Sequence, residues 1–284
     1  MEALSAEEIR RLVRLALAED VGSGDITTQA TVPSTATAKA AMVAREPLVV
    51  AGLPVAEAVF RELSPAVEIV RTSKDGERLK DGEPLLRVCG PAPAILTAER
   101  VALNFIQRLS GVATFTRQFV DAIEGTRAVI LDTRKTTPGL RRLEKYAVTC
   151  GGGHNYRFGL FDGVLVKDNH LAALRNEEPN AIAAAVKRLR DRSPERKIEV
   201  EADTLEQVEQ AVAAGADIIL LDNMNLVQLR VAVQHAKGRA QTEASGGVNL
   251  ANVRQIAETG VDYISVGVIT HSARAMDIAL DFEP

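Results

Sequence analysis

Cations and carboxylates fall where short apolar runs end. "VILDTRK" closes on Thr133, Arg134 and Lys135, "VLVKDNH" on Lys167, and the glycine-rich "CGGGHNYRFGL" carries Tyr156 and Arg157. Together Arg134, Lys135, Arg157 and Lys167 suit a ligand with several negative charges, the guanidinium fork matching a carboxylate or phosphate bidentately. Glu201 in "IEVEA" and Asp222 in "IILLDN" are suited to ribose hydroxyls, a Mg²⁺ ion or a developing positive charge. Ser245-Gly246-Gly247 stands ahead of "NLANVRQIAETG", and backbone N–H groups at a helix start cradle phosphate. Gly267 follows the last run. A single strand-end Lys or Arg is more often solvated than functional. The convergence of these residues points to a site for a phosphorylated sugar beside a small polyanion.

Such convergence needs a scaffold that delivers strand ends to one rim. Six apolar runs, "AVILDT", "GVLVKD", "KIEVEA", "DIILLDN", "AQTEASGG" and "DYISVG", alternate with Ala-rich helical stretches. That rhythm predicts parallel strands buried on both faces, in an α/β barrel with function at the strand ends. Six units are fewer than the eight of a closed barrel, so a small or open barrel is expected over residues 113–271. Residues 1–112 read as a smaller α+β unit, with a helix capped by Ser5 and Glu8, β-rich segments from Ala38 to Gly90, and the helix "LPVAEAVFREL" between them. A long helical segment, Ile95 to Ile123, joins the two and is expected to break near Ser110-Gly111. Residues 272–284 fit neither pattern and are candidates to return to the smaller unit.

Other classes are excluded by composition and spacing. The 284 residues carry a formal charge of −4, which lacks the broad basic field of a nucleic-acid or membrane-surface protein. Two cysteines, Cys89 and Cys150, make no disulfide framework and fit a reducing cytoplasm. No signal peptide and no membrane-spanning run is read. A P-loop is missing, and Gly151-Gly152-Gly153 follows a helical stretch, so it is no dinucleotide fingerprint. His154, His170, His235 and His271 lack metal-ligand spacing. His170 is beside Lys167, His235 reads as a surface helix residue and His271 as a loop residue, while Arg141 and Arg142 read as the solvated start of a helix.

"TAERVALNFIQRLSGVAT", "DTRKTTPGLR", "CGGGHNYRFGL", "VLVKDNH", "EVEADTLEQ", "ILLDN" and "EASGGV" resemble, in order, the motifs of the quinolinate phosphoribosyltransferase family, also called carboxylating nicotinate-nucleotide diphosphorylases. The likeness covers nearly the whole chain. It implies a type II phosphoribosyltransferase-like fold: an amino-terminal α+β domain and an open six-stranded α/β barrel. It also implies a homodimer with shared active sites, further assembly to hexamers being open. The implied reaction converts quinolinate and phosphoribosyl pyrophosphate to nicotinate mononucleotide, pyrophosphate and CO₂, with Mg²⁺, in NAD synthesis.

Carried over by position, the resemblance makes Arg134, Arg157 and Lys167 the clamp on the quinolinate carboxylates, with Arg100 reaching in from the neighbouring subunit. Thr133 and Tyr156 complete the substrate set. Lys135 would hold the phosphoribosyl donor, Glu201 and Asp222 its ribose and Mg²⁺, and Ser245, Gly246, Gly247 and Gly267 its 5′-phosphate, with Val266 and Val268 beside Gly267 among the substrate-binding positions. Lys135, Glu201 and Asp222 are the implied catalytic set. One position departs from the pattern: the family usually reads Asn-His-Arg where this chain has Asn155-Tyr156-Arg157. A phenol can donate a hydrogen bond to a carboxylate but cannot become cationic near neutral pH. His154 is a candidate to compensate. Two alternatives stay open: a related phosphoribosyltransferase-like paralogue acting on another acid, and a barrel that binds a sugar phosphate without turnover. The presence of both Glu201 and Asp222 speaks against the second.

Overall fold

The computed structural model describes residues 4–283, which form two compact units. One comprises the residues up to Arg117 with Thr137–Gly152 and the segment from Ile269 on; the other is Gln118–Thr136 with Gly153–Val268. The sequence suggested a division at 112/113 with residues 272–284 as candidates to return to the first unit; the segment from Ile269 on is in that unit, and Thr137–Gly152, which the sequence left in the barrel, is there as well.

The first unit opens with α1 (Ala6–Val21), whose cap Ser5 accepts from the Glu8 N–H at 3.2 Å and which buries Ile9, Val13 and Leu17 at a four-residue spacing. Next come α2 (Ile26–Thr31), β1 (Thr37–Ala44), β2 (Leu48–Val49), α3 (Leu53–Leu63), β3 (Glu68–Arg71), β4 (Arg78–Leu79), β5 (Pro84–Pro91) and α4 (Ala92–Ala122). β1 and β5 pair antiparallel, β3 flanks β5, and β2 pairs with β4.

Helix α4 runs unbroken through Ser110-Gly111, where the sequence suggested a break. Both residues serve packing instead. The Ser110 hydroxyl accepts from the Ala51 N–H at 3.1 Å, and a Cβ on Gly111 would stand 1.9 Å from the Arg274 carbonyl oxygen. Only a residue without a side chain lets that backbone come so near.

In the second unit β6 (Val129–Leu131) is the first strand. The chain then leaves for α5 (Arg141–Cys150), which belongs to the first unit because its polar residues are tied there: Tyr146 donates to Asp75 at 2.5 Å and Glu144 accepts from Arg108 at 2.8 Å. Arg142 is ion-paired with Glu8 at 2.6 Å, more than the plain solvated face expected of it. Strands and helices then alternate: β7 (Val164–Val166), α6 (Asp168–Ala172), α7 (Ala181–Arg192), β8 (Ile198–Ala202), α8 (Leu205–Ala214), β9 (Ile218–Asp222), α9 (Leu226–Ala236), β10 (Gln241–Ser245), α10 (Val253–Ala257) and β11 (Tyr263–Ser265). Capping boxes at Thr204/Gln207 and Asn225/Gln228 start α8 and α9, and Gly215 ends α8 in the left-handed region.

The sheet order is β6-β11-β10-β9-β8-β7, with every pair parallel. β6 and β7 are its two edges, so this is the open six-stranded barrel that the rhythm implied. Along β8 and β9 one face is Ile198, Val200, Ala202, Ile219 and Leu221, all fully buried. The period of two gives the opposite face Glu199, Glu201, Leu220 and Asp222. A last short helix, α11 (Val268–His271), ends on His271, which the sequence reading placed in a loop. β12 (Ile278–Glu283) then pairs antiparallel with β1, from Ala44 opposite Ile278 to Lys39 opposite Glu283.

Candidate active site

Parallel pairing brings the carboxyl ends of all six strands to one rim, where Arg134, Lys135, Lys167, Glu201 and Asp222 stand at or just beyond strand ends, whereas Arg157 is on the glycine loop with its guanidinium bonded to the Gly163 carbonyl just ahead of β7. β6 leads into Asp132, fully buried, then Thr133, Arg134 and the exposed Lys135, whose N–H donates to the Thr133 hydroxyl at 3.1 Å. β7 leads into Lys167. Its N–H donates to His170 Nδ1 at 2.9 Å, so His170 caps α6, while its ammonium lies 3.7 Å from Glu201 Oε2. Carboxylate oxygens of Glu201, Asp203 and Asp222 lie within 4.8 Å of one another. Burial raises the Glu201 pKa above its ordinary value, Lys167 pulls it down and the Asp222 charge pushes it up.

Gly246 explains how the β9 and β10 loops fit together. Its φ is +93°, and a Cβ would stand 2.2 Å from Asn223 Oδ1. Asn223, itself at φ 53°, donates its N–H to the Ser245 carbonyl at 3.0 Å and its side-chain amide to Asp222 at 2.6 Å. The glycine therefore lets the neighbouring loop hold Asp222 in place. The helix expected from Asn249 begins later, at Val253, and the Gly247 carbonyl accepts from the Asn249 and Asn252 amides at 3.2 and 3.0 Å. This corner is thus a pinned loop and not the mouth of a helix. Just beyond β11, Val266 is buried and its N–H donates to the Leu131 carbonyl at 2.9 Å.

The glycine loop occupies the open side of the sheet. His154 bridges to Leu131 in parallel fashion, its N–H donating to Ile130 at 2.8 Å and its carbonyl accepting from Asp132 at 3.1 Å. The next turn is fixed by the Tyr156 N–H, 2.8 Å from Asp132 Oδ1. Tyr156 points its hydroxyl inward to Glu199, and Ser265 donates to Glu243 in the same interior. Both carboxyls are held above the usual carboxylate range, first by burial; the Glu199 charge raises Glu243 further, and Arg157 pulls both down. The Arg157 guanidinium lies over the Tyr156 ring, 5.7 Å from its centroid, and donates to the Gly163 carbonyl at 3.3 Å.

Arg100 is exposed on α4, in the first unit, and is not among the rim residues of the second. Sequence reasoning missed Glu199, Glu243 and Ser265. The period of two in "IEVEA" was available as a signal, since it puts Glu199 on the face of Glu201.

Residues 112–281 match the family described as quinolinate phosphoribosyl transferase, C-terminal domain, and residues 25–110 its N-terminal domain family. The chain belongs to the quinolinate phosphoribosyltransferase family. It is 48% identical over 278 residues to the carboxylating nicotinate-nucleotide pyrophosphorylase of Mycobacterium leprae, with 96% of each chain covered. It is 42% identical over 275 residues to the probable enzyme of that name from Bacillus subtilis, covering 96% of this chain and 93% of the relative. Among solved structures, the nicotinate-nucleotide pyrophosphorylase of Ehrlichia chaffeensis superposes with a TM-score of 0.92 at 44% identity, covering 100% of both chains. That of Francisella tularensis gives 0.93 at 39% identity, covering 99% of this chain and 98% of the other. The rim of this family member sets the Lys167 ammonium beside the carboxylates of Glu201, Asp203 and Asp222.

Proposed function

We propose that this rim transfers the phosphoribosyl group of phosphoribosyl pyrophosphate to the ring nitrogen of quinolinate, giving nicotinate mononucleotide, pyrophosphate and CO₂ in the synthesis of NAD. The observation that carries the reading is the meeting of both charge sets on one rim, Lys167 lying 3.7 Å from Glu201 within the reach of Asp222. Arg134, Arg157 and Lys167 hold the two carboxylates and so aim the ring nitrogen at the ribose C1. Lys135 takes the donor's pyrophosphate, and the loops of Ser245, Gly246 and Gly247 and of Val266, Gly267 and Val268 take its 5′-phosphate. As pyrophosphate leaves, the ribose gains oxocarbenium character that Glu201 and Asp222 stabilise. The ring nitrogen's pair forms the new bond to C1; the carboxylate next to that nitrogen then departs as CO₂, and the carbon it leaves takes up a proton.

The oxygen-only cluster of Glu201, Asp203 and Asp222 fits Mg²⁺, a hard cation. When bound, Mg²⁺ offsets the charge of the pyrophosphate. Asp222 is already oriented by Asn223, so the cluster is built in advance of any ion. The active unit is a homodimer in which the partner's Arg100 joins the carboxylate clamp. Two free cysteines, one of them buried, are at home in a reducing cytoplasm; no helix among the described residues is long and apolar enough to cross a membrane.

The test is chromatographic detection of nicotinate mononucleotide from quinolinate and phosphoribosyl pyrophosphate, with Mg²⁺ and with excess chelator. Product is expected only with the metal. No product under either condition sinks the reading, and product that survives the chelator removes Mg²⁺ from it.

A further inference from the structure

The phenol of Tyr156 has a single proton to give, and it gives it to Glu199 Oε2 inside the barrel. Glu199 is buried on β8, and its other carboxylate oxygen and Oε2 of Glu243 are buried with no hydrogen-bond partner among the described residues. Glu243, on β10, accepts the Ser265 hydroxyl from β11. Two buried carboxyls thus face the interior, one bonded to Ser265 and the other to Tyr156 of the glycine loop. At the loop, the Tyr156 backbone is fixed separately by buried Asp132.

Arg157 lies directly on this anchored ring. Its guanidinium is 5.7 Å from the ring centroid, its Nη1 donates to Gly163 at 3.3 Å, and its Nε is buried with no partner among the described residues. Gly163 permits the approach, since a Cβ there would stand 2.8 Å from that of Arg157. One face of the guanidinium is therefore set by a ring that is itself held from below. An arginine stacked in this way loses less freedom when it grips a carboxylate than one that must be ordered by the ligand.

We propose that Tyr156 is a positioning residue for Arg157, its hydroxyl committed to Glu199, and that it does not donate to the carboxylates of the substrate. This rests on the reading of Arg157 as part of the carboxylate clamp. It assigns the departure from the family's usual histidine a specific consequence: the dicarboxylate is gripped by arginine and lysine alone, and the residue at 156 acts one step behind them.

A double-mutant cycle on the full-length protein separates the two roles, because a residue acting only through Arg157 loses its effect once Arg157 is changed. The probe is benzene-1,2-dicarboxylate, a ring dicarboxylate that cannot accept the phosphoribosyl group, and its Kd is read by calorimetry. Tyr156→Phe is expected to weaken binding about tenfold in the wild-type background, the scale of one lost hydrogen bond to a charged group. In the Arg157→Lys background the same change should matter less than about twofold. An equal factor in both backgrounds overturns the inference and leaves the clamp intact, as does a Tyr156→Phe variant that binds like wild type. An Arg157→Lys variant that binds like wild type overturns both. Should Tyr156→Phe fail to fold, Glu199→Gln supplies the second arm. It also should weaken binding in the Arg157 background only, and equal weakening in both backgrounds is again the overturning result.

Discussion

Thr137 commits both its hydrogens to one carboxylate: its N–H lies 3.0 Å and its hydroxyl 2.8 Å from the oxygens of Glu144. Glu144 is fully buried and also accepts from Arg108 at 2.8 Å, while Arg108 donates to the carbonyls of Thr270, at 2.6 Å, and Ala273. The loop that follows Arg134 and Lys135 is therefore tied to α4 through a single acid. Glu144→Ala leaves Arg108 without its counter-charge and Thr137 without its acceptor, and should cost about 3 kcal/mol or more in a urea titration. The half-buried surface pair of Arg142 with Glu8 is the control, since Glu8→Ala should cost less than about 1 kcal/mol. Comparable losses from the two variants would remove Glu144 from its role as the loop's anchor.

Alkaline sensitivity should trace in part to Cys150. Burial pushes this thiol up to about 12 from an ordinary 9.0, with the Asp75 charge adding and Tyr146 opposing. The unfolded chain releases the proton first, so the stabilising contribution is complete below about pH 9 and is lost as pH rises toward 12. Wild type should therefore lose more stability between about pH 8 and pH 10.5 than Cys150→Ser does, whatever the offset between the two at pH 8. Parallel curves in denaturant titrations at the two pH values would show that the thiol does not titrate as its burial implies. The same shift makes Cys150 a poor nucleophile at neutral pH, in keeping with a sequence that asks no chemistry of it.

The placing of charged residues at strand ends was legible in the sequence, because an apolar run that stops at a charge is visible without coordinates. Lys135, Lys167 and Asp222 are of this kind. Glu199 and Glu243 were harder, since a carboxylate inside an apolar run has the same spacing whether it faces solvent or a barrel interior. Only the partners that meet it there, Tyr156 and Ser265, decide between the two. Ser110-Gly111 misled for a related reason: weak helix formers read as a break, yet the close approach of Arg274 is what requires them. The division into units was hidden because α5 follows a barrel strand in the chain but is bonded to Asp75 and Arg108 in the other unit. Local pattern carries strand and helix; it does not carry which body a helix joins.

Arg100 provides the test of a shared site. It is exposed on α4, and the proposed function assigns it to the carboxylate clamp of a second copy of the chain. Arg100→Ala and Lys167→Ala should then each be nearly inactive as homodimers. Mixing them after reversible dissociation should restore turnover. In a mixed dimer one site draws Lys167 from the first variant and Arg100 from the second, whereas the other site lacks both. Random reassembly makes about half the dimers mixed, each with one intact site of two, so activity should return to about a quarter of wild type. The readout is nicotinate mononucleotide formation, with mixed dimers verified by mass spectrometry. If verified mixed dimers turn over no faster than the parents, Arg100 does not act across subunits, and the clamp must be completed within one chain.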